Sequence, residues 1–368
     1  MNAFIRQHIN QHTYVAIMAG GIGSRFWPIS RTNYPKQFLD ILGTGRTLIQ
    51  QTMDRFRNIV PVENIFVVTS DDYVGLVQEQ LPEIPAANIL AEPYRKNTAP
   101  CVAYISFKLQ QLDPQAALIV APADHLILEQ ENFLDVCAKA LSFVSSLNAL
   151  VTIGIQPAYP NTGYGYIQYE TMEVAPGINK VKTFTEKPNK ELAQAFVASG
   201  EFLWNAGIFV WQVGRIVDAF RKYLPEMYEL FAADQDKLNT DAEAEAIETI
   251  YPQCVNISID FGIMEKADNV YVIPAAFGWS DLGTWNSAWE NMEKDYLENA
   301  VVGDHVMVID AQRCVVHAPE GKLVLLQGLD DFIVVDSKDV LLICQKEKEQ
   351  EIKEYVAEVK RNMGDGFL

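Results

Sequence analysis

The chain has 368 residues, of which 49% are hydrophobic, and a formal net charge of −19 at pH 7. This length suffices for one large α/β domain with an accessory piece, and the acidic balance argues against binding to nucleic acid or to an anionic membrane surface. The sequence has no apolar stretch long enough to span a bilayer, no apolar signal-peptide core near its start, and five scattered cysteines without a C-x-x-C pair. We therefore expect a cytoplasmic enzyme with reduced thiols and no membrane partner.

The first half of the chain alternates predicted strands with predicted helices. Apolar runs with the composition of buried strands span residues 14–19, 64–69, 116–121 and 150–155. Helical patterns cover residues 99–112 and 133–147, and a capping-box sequence at residues 47–50 predicts a further helix start. This alternation predicts an α/β fold with a Rossmann-like, mostly parallel sheet, whose ligands bind at the carboxyl ends of its strands.

The pattern changes in the second half of the chain. Glycines, aromatic residues and short strands dominate residues 161–211, which suits a substrate-binding subdomain laid over the sheet, and residues 232–250 have a helical composition. Beyond residue 289, short apolar runs alternate with Gly and Asp turns, as in a few coils of a β-helix, before a charged terminal helix. We therefore predict a catalytic domain over residues 1–289 and a small C-terminal β region with a terminal helix over residues 290–368.

The segment after the first predicted strand is the most informative part of the sequence. Gly20, Gly21 and Gly23 permit a tight loop whose backbone N–H groups can approach a phosphate, and Arg25 and Lys36 add two cations. The loop lacks the Gly-Lys-Ser/Thr ending of a Walker P-loop and the third glycine of a dinucleotide fingerprint. It therefore predicts a grip for a triphosphate, with a plain structural turn as the alternative for the glycines alone.

Two aspartates are candidate ligands for a divalent cation. Asp124 lies just beyond the third predicted strand, and Asp281 sits in a glycine-flanked turn. Mg²⁺ accepts one or two carboxylates together with phosphate and water. The residues alone leave open a structural role, in which Asp124 caps a helix and Asp281 closes a turn. The neighbouring His125 is interpreted as structural support.

Residues 18–39 closely resemble the signature loop of the sugar nucleotidyltransferases, which join a nucleoside triphosphate to a sugar 1-phosphate and release pyrophosphate. The tripeptides at residues 26–28 and 36–38, Phe-Trp-Pro and Lys-Gln-Phe, resemble the guanylyltransferase branch that acts on mannose 1-phosphate. Further motifs of the family follow in the expected order to about residue 289. The C-terminal region resembles the family only in its length and strand character.

The resemblance implies roles for particular residues. It makes Asp124 and Asp281 ligands of Mg²⁺ and gives catalytic roles to Arg25, Lys36 and Lys187. The nucleotide site that it implies consists of Gly20, Gly21, Gly23, Ser24, Glu92, Asn97 and Thr98. The sugar-phosphate site that it implies consists of Gly163, Glu186, Lys187 and Asn205. The chain departs from the family pattern near the base site, where Lys96 replaces the usual arginine.

The activity implied by the resemblance is transfer of GMP from GTP to α-D-mannose 1-phosphate, with attack in line on the α-phosphate and release of pyrophosphate. Two alternatives stay open: transfer between another triphosphate and another sugar 1-phosphate, and a catalytically silent nucleotide-sugar-binding regulator on the same fold. We expect the transferase without the isomerase domain that many relatives carry. The sequence is compatible with a homodimer but does not decide the oligomeric state.

Glu92 opens the segment that resembles the base site. Guanine presents its N1–H and its N2 amino group side by side, and one carboxylate can accept hydrogen bonds from both. We therefore predict that Glu92 or the adjoining backbone distinguishes guanine from adenine. The alternative is that Glu92 is a solvated loop acid.

Overall fold

The structure is a computed structural model that describes residues 9–368. Over this range the chain divides into two compact units, each assembled from separate segments. The first unit comprises residues up to Gly20 together with Met53–Pro122 and Ile127–Trp279. The second unit comprises Gly21–Thr52, Ala123–Leu126 and Ser280–Leu368.

The strands of the first half and the middle of the chain have the following bounds: β1 Thr13–Ala19, β2 Ile65–Ser70, β3 Ile89–Glu92, β4 Ala117–Pro122, β5 Leu126–Ile127, β6 Leu150–Ile155, β7 Gly165–Ala175, β8 Ile178–Glu186, β9 Phe202–Gln212, β10 Val270–Ala275 and β11 Trp279–Ser280. The four strands predicted in the first half correspond to β1, β2, β4 and β6. Their observed ends differ from the predicted ends by one residue at most.

Among the described residues, the first unit is built on a nine-stranded sheet with the order β3-β2-β1-β4-β9-β6-β10-β8-β7. The strands β3, β2, β1 and β4 run parallel, which confirms the predicted α/β class. Beyond β4 the sheet is mixed, because β9 runs antiparallel to both β4 and β6. The sheet is therefore parallel only in part.

The segment at residues 161–211 was predicted to form a subdomain over the sheet, and this prediction is wrong. Its strands β7, β8 and β9 pair with one another and, through β9 and β8, with the central strands. They thus extend the same sheet. The local pattern of short strands is correct, but it carries no information about which sheet the strands join.

The helices have the following bounds: α1 Leu48–Phe56, α2 Val74–Gln80, α3 Thr98–Leu112, α4 Gln130–Ser146, α5 Lys190–Ser199, α6 Val213–Tyr223, α7 Pro225–Ala233, α8 Glu243–Ile250, α9 Trp285–Asn291 and α10 Ile352–Met363. The helix α3 is buried along most of its length and forms part of the main apolar core of the first unit. A helix that is apolar on all sides is expected to be buried in a core in this way.

In the segment predicted to be helical, residues 232–250, only residues 232–233 at the end of α7 and the residues of α8 are α-helical. A turn separates α7 from α8, and in it Asn239 has a φ of 64°. The Thr240 hydroxyl donates to the carbonyl of Lys237 (2.6 Å) and accepts from the amide of Ala242 (3.2 Å). Such local side-chain bonds compete with the helical hydrogen bonds and end the helix.

The C-terminal strands belong to the second unit and have the following bounds: β12 Ala300–Val302, β13 Val306–Ile309, β14 Val315–His317, β15 Val324–Gln327, β16 Phe332–Asp336 and β17 Leu341–Gln345. The strands β12, β14 and β16 stack in parallel, and β13 pairs in parallel with β15. Successive coils of a β-helix give this pairing, so the predicted short β-helix is confirmed. The last strand, β17, runs antiparallel to β16.

One apolar core joins the glycine-loop segment to the β-helix within the second unit. Phe26 is fully buried and meets the ring of Trp285 edge to face, with 5.0 Å between ring centroids. Val315 and Ile333 of the β-helix and Ile352 of α10 belong to the same core. Tyr355, Val356 and Val359 of α10 also pack against this core, so the terminal helix presents one apolar face to it.

The indole N–H of Trp27 donates to the carbonyl of Phe367 (2.8 Å), which links the loop segment to the end of the chain. No helix in the described range combines the length and the hydropathy that crossing a bilayer requires.

Candidate functional site

A cavity of about 250 Å³ in the second unit collects most of the predicted phosphate and metal residues. We call it the loop cavity. Its wall consists of Gly23, Ser24, Arg25, Lys36, Asp124, His125, Asp281, Gly283 and Lys353. All of these except Gly283 and Lys353 are predicted site residues or neighbours of predicted site residues.

Gly23 is required by a close approach within the loop. Its φ is 68°, and a Cβ atom at this position would lie 2.3 Å from the Cβ of Lys36. The amide of Lys36 donates to the carbonyl of Ile22 (3.2 Å), which holds the two segments together. Gly21 also has a positive φ, of 87°. A larger residue at Gly23 would displace Lys36 from its position in the wall.

Lys36 is the counter-ion of Asp124. Its side chain is 5% exposed, and its Nζ donates to Asp124 Oδ2 (2.9 Å) and to the backbone carbonyl of Asp281 (2.6 Å). Burial by itself would raise the pKa of Asp124, but the charges of Lys36 and His125 and the hydrogen bond from Lys36 hold it below its usual value. Asp124 is therefore a carboxylate at neutral pH.

Asp281 both closes a turn and faces the loop cavity. Its Oδ1 accepts from the amide of Gly283 (3.0 Å), and a Cβ atom on Gly283 would lie 2.7 Å from Oδ2. Between them, Leu282 has a φ of 44° and is fully buried. Such a backbone conformation costs about 1–3 kcal/mol for a residue other than glycine and persists where packing enforces it. The carboxylate is thus held rigidly at the cavity wall.

The donor set of the loop cavity fits a hard divalent cation that shares its coordination with phosphate. In the part of the chain that the structure describes, no three His, Cys, Asp or Glu side chains are grouped so as to hold a metal. Asp124 and Asp281 line the same cavity, and two carboxylates completed by phosphate oxygens and water suit Mg²⁺.

A second group of predicted residues lies in the first unit around Asn205. The side-chain Oδ1 of Asn205 accepts from the hydroxyl of Thr152 (2.9 Å) and from the amide of Gly207 (3.2 Å). Its Nδ2 donates to Asp260 Oδ1 (2.9 Å). These bonds fix the direction of the carboxamide, which is the property that a hydroxyl-binding group needs.

Glu186 and Lys187 form an ion pair in the same unit. The Oε2 atom of Glu186 is buried and has no hydrogen-bond partner among the described residues. A Cβ atom on Gly165 would lie 2.3 Å from this oxygen, so glycine there leaves room for the carboxylate. Lys187 itself is exposed, has a φ of 48°, and donates its amide to the carbonyl of Tyr164 (3.1 Å).

Asp260 has an unusual protonation behaviour. Burial, and then the charge of Glu186, raise its pKa to about 7. It begins a π-helical turn, Asp260–Met264, and such turns are frequent at functional sites. The sequence led to no predicted role for this residue. The signal that could have found it is an acid within an otherwise apolar run.

Aromatic rings form a wall close to Gly163. The ring of Tyr164 meets Trp204 and Trp279 edge to face, with centroids 5.0 and 5.3 Å away. The amide of Gly163 is bonded to Asn161 Oδ1 (2.7 Å), and Gly163 is exposed.

Three residues of the predicted nucleotide site, Glu92, Asn97 and Thr98, are at or before the start of α3. Asn97 caps the helix, and its side chain accepts from the amide of Thr98 (2.9 Å). The hydroxyl of Thr98 accepts from the amide of Ile259 (2.9 Å). Glu92 is 9% exposed, and its Oε1 accepts from the hydroxyl of Tyr251 (3.0 Å).

Glu92 is therefore not a solvated loop acid. Burial raises its pKa to about 7, against the opposing effect of the hydrogen bond from Tyr251. The sequence could not reveal this burial, because Tyr251, whose hydroxyl bonds Glu92 at the end of β3, lies 159 residues away in sequence.

Comparison with known proteins identifies the family. Residues 14–298 match the nucleotidyl transferase family. The chain belongs to this family. Residues 303–359 match the MannoseP isomerase/GMP-like beta-helix domain, in agreement with the parallel coils described above. The predicted boundary between a catalytic domain, residues 1–289, and a C-terminal region, residues 290–368, stays a proposal. Nucleotidyltransferases of this family generally use a divalent metal, which agrees with the two carboxylates of the loop cavity.

The relatives are similar over most of the chain. Mannose-1-phosphate guanylyltransferase of Salmonella montevideo is 37% identical over 352 residues, which cover 94% of this chain and 73% of that protein. Alginate biosynthesis protein AlgA of Pseudomonas syringae pv. tomato is 36% identical over 345 residues, covering 93% and 70%. The crystal structure described as mannose-1-phosphate geranyltransferase from Thermus thermophilus is 31% identical, with a TM-score of 0.84 over 95% of this chain and 99% of that one.

Proposed function

We propose that this nucleotidyltransferase transfers GMP from GTP to α-D-mannose 1-phosphate and releases GDP-mannose and pyrophosphate. The observation that carries the proposal is the loop cavity, in which Arg25 and Lys36 stand beside Asp124 and Asp281 behind a glycine loop. The 37% identity to a mannose-1-phosphate guanylyltransferase supports the choice of substrates.

The reaction needs positioning and neutralisation of charge rather than removal of a proton. An oxygen of the sugar phosphate, already ionised at neutral pH, attacks the α-phosphorus in line, and the bond from that phosphorus to the pyrophosphate oxygen breaks. The N–H groups of Gly21, Gly23 and Ser24 and the guanidinium of Arg25 would hold the triphosphate. His125 has no proton to accept in this scheme and supports Asp124.

Asp124 and Asp281 would hold Mg²⁺, which supplies neutralisation of the charge on the transferred phosphate when it is bound. Lys36 keeps Asp124 ionised through its 2.9 Å contact and fixes the turn at Asp281 through its 2.6 Å contact. It thereby orients the carboxylate of Asp124 and holds the backbone of Asp281 before the substrates arrive, and such preorganisation lowers the barrier.

Further residues would bind the sugar phosphate and the base. Lys187 would neutralise the sugar phosphate, and its partner Glu186 and the fixed carboxamide of Asn205 would bind sugar hydroxyls beside Gly163. Glu92 would accept from guanine.

At the start of α3, Asn97 and Thr98 would hold the base segment in place. Gly20 has no side chain and would leave space at the start of the glycine loop. The five free cysteines, four of them buried, agree with our proposal that the enzyme works in the reducing cytoplasm.

The proposal is tested by measuring pyrophosphate release with GTP, ATP, UTP and CTP, each against mannose 1-phosphate and glucose 1-phosphate. We expect kcat/KM for GTP with mannose 1-phosphate to exceed every other pair by about ten-fold or more. A different preferred pair would show that the substrates are wrong. Absence of release with every pair, together with retained binding of GDP-mannose, would show that the chain is a silent binding protein.

A further inference from the structure

The terminal helix contributes a cation to the loop cavity. Lys353 is the second residue of α10 and lines the cavity together with Arg25 and Lys36. The sequence around Lys353 predicts no role for it, because the residue lies in a charged amphipathic helix without any recognisable motif. Contacts of the preceding residues nevertheless fix the position of Lys353 at the start of the helix.

The anchors of this helix start are specific. The preceding turn is held by Glu349, whose Oε2 accepts from the amide of Asn286 (2.8 Å). Ile352 is fully buried in the core that also contains Phe26 and Trp285. Lys353 is thereby placed at the wall by its neighbours, while its own side chain stays exposed.

The charges at this wall are unbalanced. Repulsion from Arg25, and to a smaller extent burial, lower the pKa of Lys353. No carboxylate lies within ion-pairing distance of Lys353 in residues 9–368, although acidic side chains outnumber basic ones by 48 to 29 in this chain. The Nε atom of Arg25 is buried and also has no hydrogen-bond partner within that range. The charge of Arg25 does act on Glu349, but that carboxylate is bonded to the backbone of Asn286.

Arg25 and Lys353 repel each other, because neither forms an ion pair with a carboxylate in residues 9–368. The chain is rich in carboxylates, so the lack of an ion pair for either of these cations is notable. An anion bound between Arg25 and Lys353 would remove the repulsion. Lys36 is less available to bind such an anion, because its Nζ is already bonded to Asp124 and to the backbone of Asp281.

We propose that Lys353 binds the terminal phosphates of the nucleoside triphosphate and the pyrophosphate product, as the partner of Arg25. The inference rests on the proposed function, and it assigns the terminal rather than the α-phosphate because the helix that carries Lys353 packs against the turn Ser24–Phe26, which contains Arg25. When the bond to the α-phosphorus breaks, negative charge passes to pyrophosphate, and Lys353 stabilises it there. The helix that follows the β-helix is then part of the active site.

The test compares Lys353→Met and Lys353→Arg with Lys360→Met, a matched control on the same helix. Lys360 is exposed and pairs with Asp365 (2.9 Å) outside the cavity. The measurements are the KM for GTP and for mannose 1-phosphate in the forward reaction, the KM for pyrophosphate in the reverse reaction, and the melting temperature.

For Lys353→Met we expect the KM values for GTP and pyrophosphate to rise by about ten-fold or more, because a charged contact is lost. The KM for mannose 1-phosphate and the melting temperature should change little. Lys353→Arg should restore most of the loss, and Lys360→Met should match the wild type.

Wild-type KM values in Lys353→Met would overturn the inference while leaving the proposed function intact. A fall in melting temperature with equal losses for both substrates would also overturn it, since that pattern indicates a structural role. If the wild type turns over no substrate pair, the proposed function fails, and calorimetry with tripolyphosphate then decides the inference alone: weaker binding by Lys353→Met supports it, and equal binding overturns it.

Discussion

At the scale of single residues, the two carboxylates of the loop cavity differ in what holds them. Asp124 is neutralised by Lys36, and Asp281 is fixed by the amide of Gly283. The sequence could indicate both aspartates, since each stands in a recognisable motif. It could not indicate that Lys36 bonds to both turns, because 88 and 245 residues separate it from its two partners.

Asp124→Asn and Asp281→Asn should each lower kcat by at least about 100-fold, because an amide lacks the charge that binds a divalent cation. An asparagine at residue 124 still offers an oxygen to Lys36, so that variant should fold, but with a lower melting temperature because the buried ammonium loses its counter-ion. The measurement is the rate of pyrophosphate release at saturating Mg²⁺, with the exposed Asp304→Asn as control. Near-normal turnover in either variant would exclude that aspartate as a metal ligand.

The buried acids of the first unit predict a pH dependence of stability. The folded-state pKa of Asp260 is about 7, above its usual value, so the folded protein binds a proton more tightly than the unfolded chain. The free energy of unfolding should therefore fall as the pH rises from about 4 to about 7 and level off above. Glu92, with a pKa also near 7, contributes with the same sign.

Asp260→Asn should flatten this fall, because an amide does not titrate and still accepts from Asn205. The measurement is the urea midpoint across that pH range for wild type, Asp260→Asn and the control Glu248→Gln, which changes an exposed acid. An unchanged pH profile in Asp260→Asn, matching the control, would contradict the raised pKa.

At the scale of elements, periodicity and caps were sufficient to predict β1, β2, β4, β6, α3 and α4, since these are long and apolar. They were not sufficient to place β7, β8 and β9, because pairing between strands is decided by contacts distant in sequence. Local side-chain bonds at Thr240 broke the helix predicted for residues 232–250, and composition alone does not reveal such competition.

Adding one methyl group to the glycine loop, at Gly23, should lower the activity sharply. Gly23→Ala would place a Cβ atom 2.3 Å from the Cβ of Lys36 and impose a left-handed backbone that costs about 1–2 kcal/mol for alanine. We expect kcat/KM for GTP to fall by at least about ten-fold, as Lys36 is displaced from Asp124. Gly75→Ala in α2 is the control, since no atom lies within 4 Å of the added Cβ. Equal activity of both variants would show that the loop tolerates the displacement.

At the scale of the whole molecule, the strand composition of residues 290–368 predicted a β-helix, and the motifs predicted the catalytic class. The sequence did not predict that the glycine-loop segment shares one apolar core with the β-helix. That core contains Phe26, Trp285 and Ile352. These residues are far apart in sequence, and the local sequence around each does not show that they pack together. This packing is also what brings Lys353 to the loop cavity.

The central claim is that an oxygen of mannose 1-phosphate attacks the α-phosphorus of GTP. The most direct test uses mannose 1-phosphate carrying ¹⁸O in all three non-bridging phosphate oxygens, with mass spectrometry of both products. The account predicts that GDP-mannose retains all three labelled oxygens and that pyrophosphate contains none. Loss of one label from GDP-mannose, or its appearance in pyrophosphate or water, would contradict the account, because the bond would then form at the wrong phosphorus.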